Sequence, residues 1–183
     1  VVVYLDIETS GMKADRGMIV AVGLLKGKEP EVRFADTPEG ERGVLEWLRD
    51  ELEDCNKLVT WYGSGFDIPF LLARAALHEV DIRRLIETPM LDICEWSHGH
   101  LLLSNHKLES VARFFGIRRA LEFHGEDVSA LFKLAARGDL EARKLIVDHC
   151  KEDLILLKRV HERLKPMVER SRQGLPQVVS KEE

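Results

Sequence analysis

The chain opens on Val1-Val2-Val3-Tyr4-Leu5-Asp6-Ile7, a β-branched and aromatic run of strand length. Such a run has the composition of a strand buried in the middle of a sheet, and burying both of its faces requires helices above and below. Its far end carries charge. Asp6 and Glu8 flank Ile7, and because strand side chains alternate they project to one side, roughly 7 Å apart at about 3.3 Å per residue. Two carboxylates so placed are either strand-end residues facing water or oxygen ligands that converge on a shared cation.

The rest of the sequence supplies the layers. Met18 to Leu25 is a second apolar run, Gly27 to Pro30 interrupts it, and Glu31 to Ala35 alternates, which together predict an antiparallel meander. Thr37 and Pro38 open an amphipathic helix through about Glu53, with Val44, Leu45, Trp47, Leu48 and Leu52 along one side. Lys57 to Trp61 and Met90 to Ile93 read as short strands. Between them, Asp67 to His78 predicts a helix with Asp67 at the N-cap and Pro69 in its first turn. Ser104 would cap a helix over Lys107 to Phe115, Glu126 to Arg137 would form another, and Leu140 to about Leu164 a last long one stopped by Pro166. The expected architecture is α/β: a mixed five-stranded central sheet, made of an antiparallel three-strand meander plus two parallel strands, flanked by helices. Strand one would lie between strands two and four, so its end opens on a crevice where chain order reverses, the usual ligand position in such sheets.

With 183 residues and 45% hydrophobic content, one domain over residues 1–170 is expected, with 171–183 as a flexible C-terminal tail. No stretch is apolar enough to span a bilayer, and the opening run lacks the basic lead-in and cleavage pattern of a signal peptide. Cys55, Cys94 and Cys150 form no CxxC pair and leave an odd number. These features predict a soluble, cytoplasmic protein with no membrane partner, and a start inside a strand is what a trimmed or excised piece would show. The only amides are Asn56, Asn105, Gln173 and Gln177 against 32% charged residues, a composition similar to that of heat-adapted proteins. The formal charge of -5 does not exclude a phosphate substrate, because carboxylates that hold divalent cations reverse the local sign.

Three more residues join the opening pair. Asp67 follows the Gly63-Ser64-Gly65-Phe66 loop at the end of the neighbouring strand and would face the same crevice. Asp153 lies four residues after His149 on the last helix, so both share one helix face. Four carboxylates and a histidine suit metal-assisted phosphoryl hydrolysis, in which two ions about 4 Å apart activate water and stabilise the leaving oxygen. Oxygen ligands favour Mg²⁺ or Mn²⁺, and His149 would orient or deprotonate the water. Each residue also has a plainer reading: Asp67 as a helix cap, and His149 with Asp153 as a solvated surface pair.

Asp6-Ile7-Glu8-Thr9, Gly65-Phe66-Asp67-Ile68-Pro69-Phe70 and His149-Cys150-Lys151-Glu152-Asp153 resemble, in order, the three motifs of the DEDD superfamily of 3′–5′ exonucleases, which have a ribonuclease H-like fold. The similarity runs from Val1 to about Leu164, and Gly116-Ile117 resembles a Leu-Gly-Ile stretch common in these domains. Two positions depart from the pattern. Three residues separate 149 from 153, the spacing of the branch that uses tyrosine, yet His149 stands there, as in less characterised exonuclease domains with His-Cys or His-Asn before the last Asp. Tyr62 stands where relatives often carry Asn before Gly, so stacking would replace a hydrogen bond to the substrate strand. The resemblance implies a catalytic set of Asp6, Glu8, Asp67, His149 and Asp153. It implies two Mg²⁺ or Mn²⁺ on Asp6, Glu8, Asp67 and Asp153, with Asp6 touching both ions and Asp67 acting largely through water. Thr9, Met12, Tyr62 and Phe66 would contact substrate, with Met12 wedged against the terminal base. The implied activity is metal-dependent removal of nucleotides from single-stranded 3′ ends of DNA or RNA, by a monomer or weak dimer.

Two other readings stand beside it: structure-selective endonucleolytic cleavage on the same site, or a nucleic-acid or partner-binding module with little catalysis. The presence of all four carboxylates weighs against decay. Trp61, Tyr62, Phe66 and Trp96 have faces on which bases could stack, although Trp61 and Phe66 suit a core better. Cys94, His98 and His100 lack a complete zinc set and read as structural. Arg113, Arg118, Arg119, Arg137, Arg143, Lys144, Lys158 and Arg159 could track phosphates, but most read as helix surface. Gly23 to Lys28 and Gly63-x-Gly65 fall short of nucleotide-loop spacings.

Overall fold

In the computed structural model, which describes residues 1–120 and 127–171, the five strands are β1 (Val2–Thr9), β2 (Ile19–Leu25), β3 (Glu31–Phe34), β4 (Lys57–Thr60) and β5 (Met90–Asp92). They lie in the order β3-β2-β1-β4-β5. β1 to β3 form an antiparallel meander, while β4 and β5 add in parallel beyond β1. The expected mixed sheet is therefore present, with the opening run at its centre.

Around it pack α1 (Pro38–Glu51), α2 (Asp67–Leu77), the one-turn α3 (Arg84–Glu87), α4 (Ile93–His100), α5 (Leu108–Phe114), α6 (Val128–Ala135) and α7 (Leu140–Ser171). Period-two alternation in β1 sorts the two faces. Val3, Leu5 and Ile7 pack with Leu45, Leu48, Phe70 and Leu71 of α1 and α2. Tyr4 packs instead with Leu154, Leu157, Val160 and Leu164 of α7. Asp6 and Glu8 share the parity of Tyr4, so the strand that buries its apolar residues under α1 and α2 must present both acids to α7.

α7 comes close because of a glycine. Gly23 sits opposite Asp6 in the β1–β2 register. A Cβ there would lie 2.6 Å from Cys150 Sγ and 2.7 Å from Leu154 Cδ1, so only glycine admits the helix at this depth. On the other face Glu41 of α1 is fully buried yet satisfied. Its carboxylate accepts from Arg74 Nε (3.0 Å) and Nη2 (2.6 Å), from the Ile19 amide (2.5 Å), and lies 2.5 Å from His78 Nε2. Arg74 Nη1 also donates to Ala14 O at 3.0 Å. This network ties the loop that follows β1 to α1, α2 and β2.

Several boundaries differ from the sequence-based expectation. Pro166 does not end α7, which continues to Ser171. Proline inside a helix costs about 3 kcal/mol, but Leu164 and Val168 on either side of it are both buried in the cluster that holds Tyr4, and that packing carries the helix onward. Ser104 caps nothing: the N-cap of α5 is Lys107, whose amide donates to Asn105 Oδ1 at 2.7 Å. α3 and α4 were not anticipated, since a single turn and a helix of eight residues carry little periodicity. Glu126, expected to open α6, and the tail beyond Ser171 lie outside the described residues. No helix among the described residues is long and apolar enough to cross a membrane.

Candidate metal centre

The C-terminal end of β1 carries the site. A register shift between Glu8 and Thr9 breaks the ladder with β2 there, the kind of irregularity that re-aims side chains at a strand end. Asp6 Oδ2 is buried and has no hydrogen-bond partner among the described residues. Glu8 is buried, and its Oε1 lies 2.6 Å from Nδ1 of the buried His149. The same Nδ1 is 3.5 Å from Asp153 Oδ2. The solvated-pair reading of His149 and Asp153 therefore fails, because α7 turns that face onto β1.

Asp67 arrives from the other side of β1. It is not the N-cap of α2; that position is Phe66, and no side chain caps the helix. As the first helical residue Asp67 is buried with its carboxylate unspent on the helix. The loop before it is rigidly built. Tyr62 adopts a left-handed φ of 58°, costly for a bulky residue and found where surrounding structure enforces it. The enforcing group is Asp92, which accepts from the Tyr62 amide (2.9 Å), the Ser64 amide (3.1 Å) and Ser64 Oγ (2.7 Å) while capping α4 through the Cys94 and Glu95 amides. At Gly65 a Cβ would come within 2.2 Å of the Tyr62 ring, so any larger residue would displace that exposed ring. Asp92 is a structural acid at the site's edge that no motif singled out; its sign in the sequence is only an Asp at a strand end before a helix.

Electrostatics describe a site short of positive charge. Burial, then the charges of Asp153, Glu8 and Asp67, push the Asp6 carboxyl well above the usual range. Burial, then Glu8, Asp92 and Asp153, do the same to Asp67. Glu8 is raised by burial, and the hydrogen bond from His149 pulls it partly back. Burial alone would lower His149, but the bond and charge of Glu8, with Asp153 adding, carry it above the ordinary histidine value. Buried acids that resist ionisation because of one another are what a bound cation relieves.

The donor set fits such a cation. Ligand atoms of Glu8, His149 and Asp153 all lie within 4.8 Å of one another, as do those of Asp6, Glu8 and Cys150. Cys150 is the weaker candidate, since its buried thiol points toward Asp6 O at 3.8 Å and is held strongly protonated, first by burial. The unanticipated member is Arg119. In the sequence it is grouped with cations that could track phosphates, most of which read as helix surface; its side chain is 8% exposed and its Nη2 bonds Asp153 Oδ1.

The expected substrate contacts gather in part. Thr9, Met12 and Phe66 line, with Ile7, Glu8, Gly11 and Ser129 of α6, a pocket of about 260 Å³ beside the acids. Met12 is 75% exposed at its rim. Tyr62 does not line that pocket; its ring is exposed on the loop before Asp67. Trp61 and Trp96 pack against the α7-side core, and Trp61 Nε1 donates to His106 O at 3.2 Å. Cys94, His98 and His100 form no three-ligand cluster among the described residues.

A five-stranded mixed sheet of this order, with acids converging from β1, from the helix after β4 and from the long last helix, defines a ribonuclease H-like α/β protein. Residues 3–165 match the family described as the RNase_H superfamily, and the chain belongs to that superfamily. It is 29% identical over 156 residues to an uncharacterized protein of Methanocaldococcus jannaschii, covering 82% of this chain and 87% of that relative. Its fold is similar to the structure of a family B DNA polymerase from the hyperthermophilic archaeon Pyrobaculum calidifontis, with a TM-score of 0.71 at 21% identity over 91% of this chain. The chain spans 25% of that polymerase.

Proposed function

We propose that the protein is a metal-dependent nuclease of the DEDD type, in which residues 1–170 form the catalytic unit and nucleotides are removed from single-stranded 3′ ends of DNA or RNA. The observation that carries this reading is the orphaned Asp6 Oδ2, buried among Glu8, Asp67 and Asp153, whose charges hold its acid up. Superfamily membership and the order of the three motifs support it.

Asp6, Glu8 and Asp153 would hold one Mg²⁺ or Mn²⁺, Asp6 would reach a second, and Asp67 would act on that second ion largely through water. Bound there, the ions would supply an activated water and charge for the leaving oxygen. His149, buried and bonded through Nδ1 to Glu8, orients that ligand, and general-base work by the same ring would fall to Nε2, whose tautomer that bond sets. The pocket of Thr9, Met12 and Phe66 takes the terminal nucleotide, its apolar wall suited to a base face and Glu8 at its floor. Tyr62 offers an exposed ring for the neighbouring base. The anionic substrate is tolerated because cations reverse the sign of the acid cluster.

The test is cleavage of 5′- and 3′-labelled single-stranded DNA and RNA with Mg²⁺, Mn²⁺ or EDTA, by the wild type and Asp6→Ala. A ladder shortening from the 3′ end, abolished by EDTA and reduced roughly 100-fold or more in Asp6→Ala, is expected. Undiminished cleavage by Asp6→Ala would sink the mechanism. Internal cuts would move the reading to an endonuclease on the same site, and binding without cleavage by either metal would move it to a binding module.

A further inference from the structure

Among the described residues, Arg74 and Arg119 both lie largely out of solvent against carboxylates, and they are used differently. Arg74 spends all three nitrogens: Nε and Nη2 on Glu41, Nη1 on Ala14 O. Arg119, in the segment between α5 and α6, does not. Its Nη2 bonds Asp153 Oδ1, but Nη1 stands 3.7 Å from Glu152 Oε2, too far for a hydrogen bond. Nε and Nη1 are buried without an acceptor among the described residues, which leaves three of the five N–H groups of a guanidinium unmade. Buried charged donors are seldom left so, because each has given up water for nothing in return.

We propose that Arg119 is a substrate-binding residue that grips an oxygen of the phosphate at the scissile end of the strand, an inference that rests on the nuclease reading above. The chemistry of the vacant donors selects the ligand. They are cationic and forked, the geometry that matches phosphate oxygens and carboxylates. Of the carboxylates beside it, Asp153 is assigned to metal and Glu152 stays beyond hydrogen-bond reach of Nη1, so the fork has room for an acceptor that comes with the substrate. Asp153 would share its oxygens with a bound cation, and Arg119 Nη2, relieved of that acceptor, would be able to join Nε and Nη1 on a substrate anion. Arg119 thus passes from balancing the acids to holding the phosphate, beside the atoms that react.

The experiment measures binding rather than turnover. A 5′-fluorescent single-stranded oligonucleotide carries at its last linkage either phosphate or methylphosphonate, which is neutral there. Anisotropy in Ca²⁺, used in place of Mg²⁺ to slow cleavage, gives the affinity ratio between the two for the wild type, Arg119→Lys and Arg119→Ala; melting curves confirm folding. The ratio should fall about tenfold in Arg119→Ala, as expected for loss of a charge-assisted bond, and by less in Arg119→Lys, which keeps the charge without the fork. An unchanged ratio in Arg119→Ala overturns the proposal, including the case where both oligonucleotides weaken equally or only the melting temperature drops. If Asp6-dependent cleavage is intact in the wild type while that ratio stays put, only Arg119 loses its role. A wild type that neither cleaves nor distinguishes the two linkages removes both readings.

Discussion

His161 lies apart from the acid cluster, and it makes a separate prediction. It lies buried on α7, with Nδ1 2.9 Å from the Tyr4 hydroxyl and Nε2 without a partner among the described residues. Burial first, then Lys57 and Lys165, lower it from 6.5 to about 4, while burial and Glu162 push the Tyr4 phenol up to about 12. The tyrosine therefore donates and a neutral imidazole accepts. As pH falls, the unfolded chain takes up the proton first, so this contribution to stability is full above about 6.5 and drains away toward pH 4, by on the order of 2 kcal/mol. Denaturant melts of the wild type and His161→Leu between pH 7 and 4 check this. The difference between the two should shrink as pH falls, and a constant difference would assign the residue a packing role only. Comparing the two proteins matters because Asp6 and Asp67, raised in the fold, titrate with the opposite sign.

α7 joins the chemistry of single side chains to the geometry of the fold. Its sequence shows that His149 and Asp153 share a face, but a helix face has no address until something tells the helix where to lie. Gly23 on β2 is that instruction, through an absence of side chain that no pattern in α7 reports. Gly23→Ala would set a Cβ 2.6 Å from Cys150 Sγ, and overpacking of this kind costs about 1–3 kcal/mol. Because Cys150 adjoins His149, the same substitution should weaken Mn²⁺ binding measured by calorimetry, as α7 backs away from β1. Wild-type stability and affinity together would show that the helix does not depend on that close approach. Pro166 teaches the complementary point: a local stop signal yields when residues beyond it, such as Val168, have a core to enter.

For the molecule as a whole, the acid cluster carries a cost in stability that the proposed metal ligation would offset. At neutral pH the folded state must hold together carboxylates that the unfolded chain disperses, and a ligand of the folded state alone repays this by mass action. Mn²⁺ at 100 times its dissociation constant should add about 2.7 kcal/mol, which for a domain of this size raises the melting temperature by roughly 5–10 °C. Asp6→Asn should melt higher than the wild type in EDTA at pH 7–8, since its folded acid is raised and the charge it buries is lost, and should gain little from Mn²⁺. A variant that melts lower in EDTA and responds fully to the ion would contradict the assignment of Asp6 as a ligand.

The opening strand, the meander, the helix after β4 and the parity that puts Asp6 beside Glu8 were all legible along the chain, because strand and helix periods and cap chemistry act over a few neighbouring residues. The same local signals misplaced the cap of α2, where Asp67 is the first helical residue and its carboxylate caps nothing, and overlooked Asp92, which holds the Tyr62 turn from 30 residues away. In the sequence Arg119 is one of eight cations that could track phosphates, with nothing to set it apart from those that read as helix surface. Its burial against Asp153, 34 residues later, exists only once α7 has packed on β1. Periodicity can say which residues share a face. How deep that face is buried, and which charges it meets there, is settled by close packing between segments far apart in the chain, and the chemistry of this site depends on that depth.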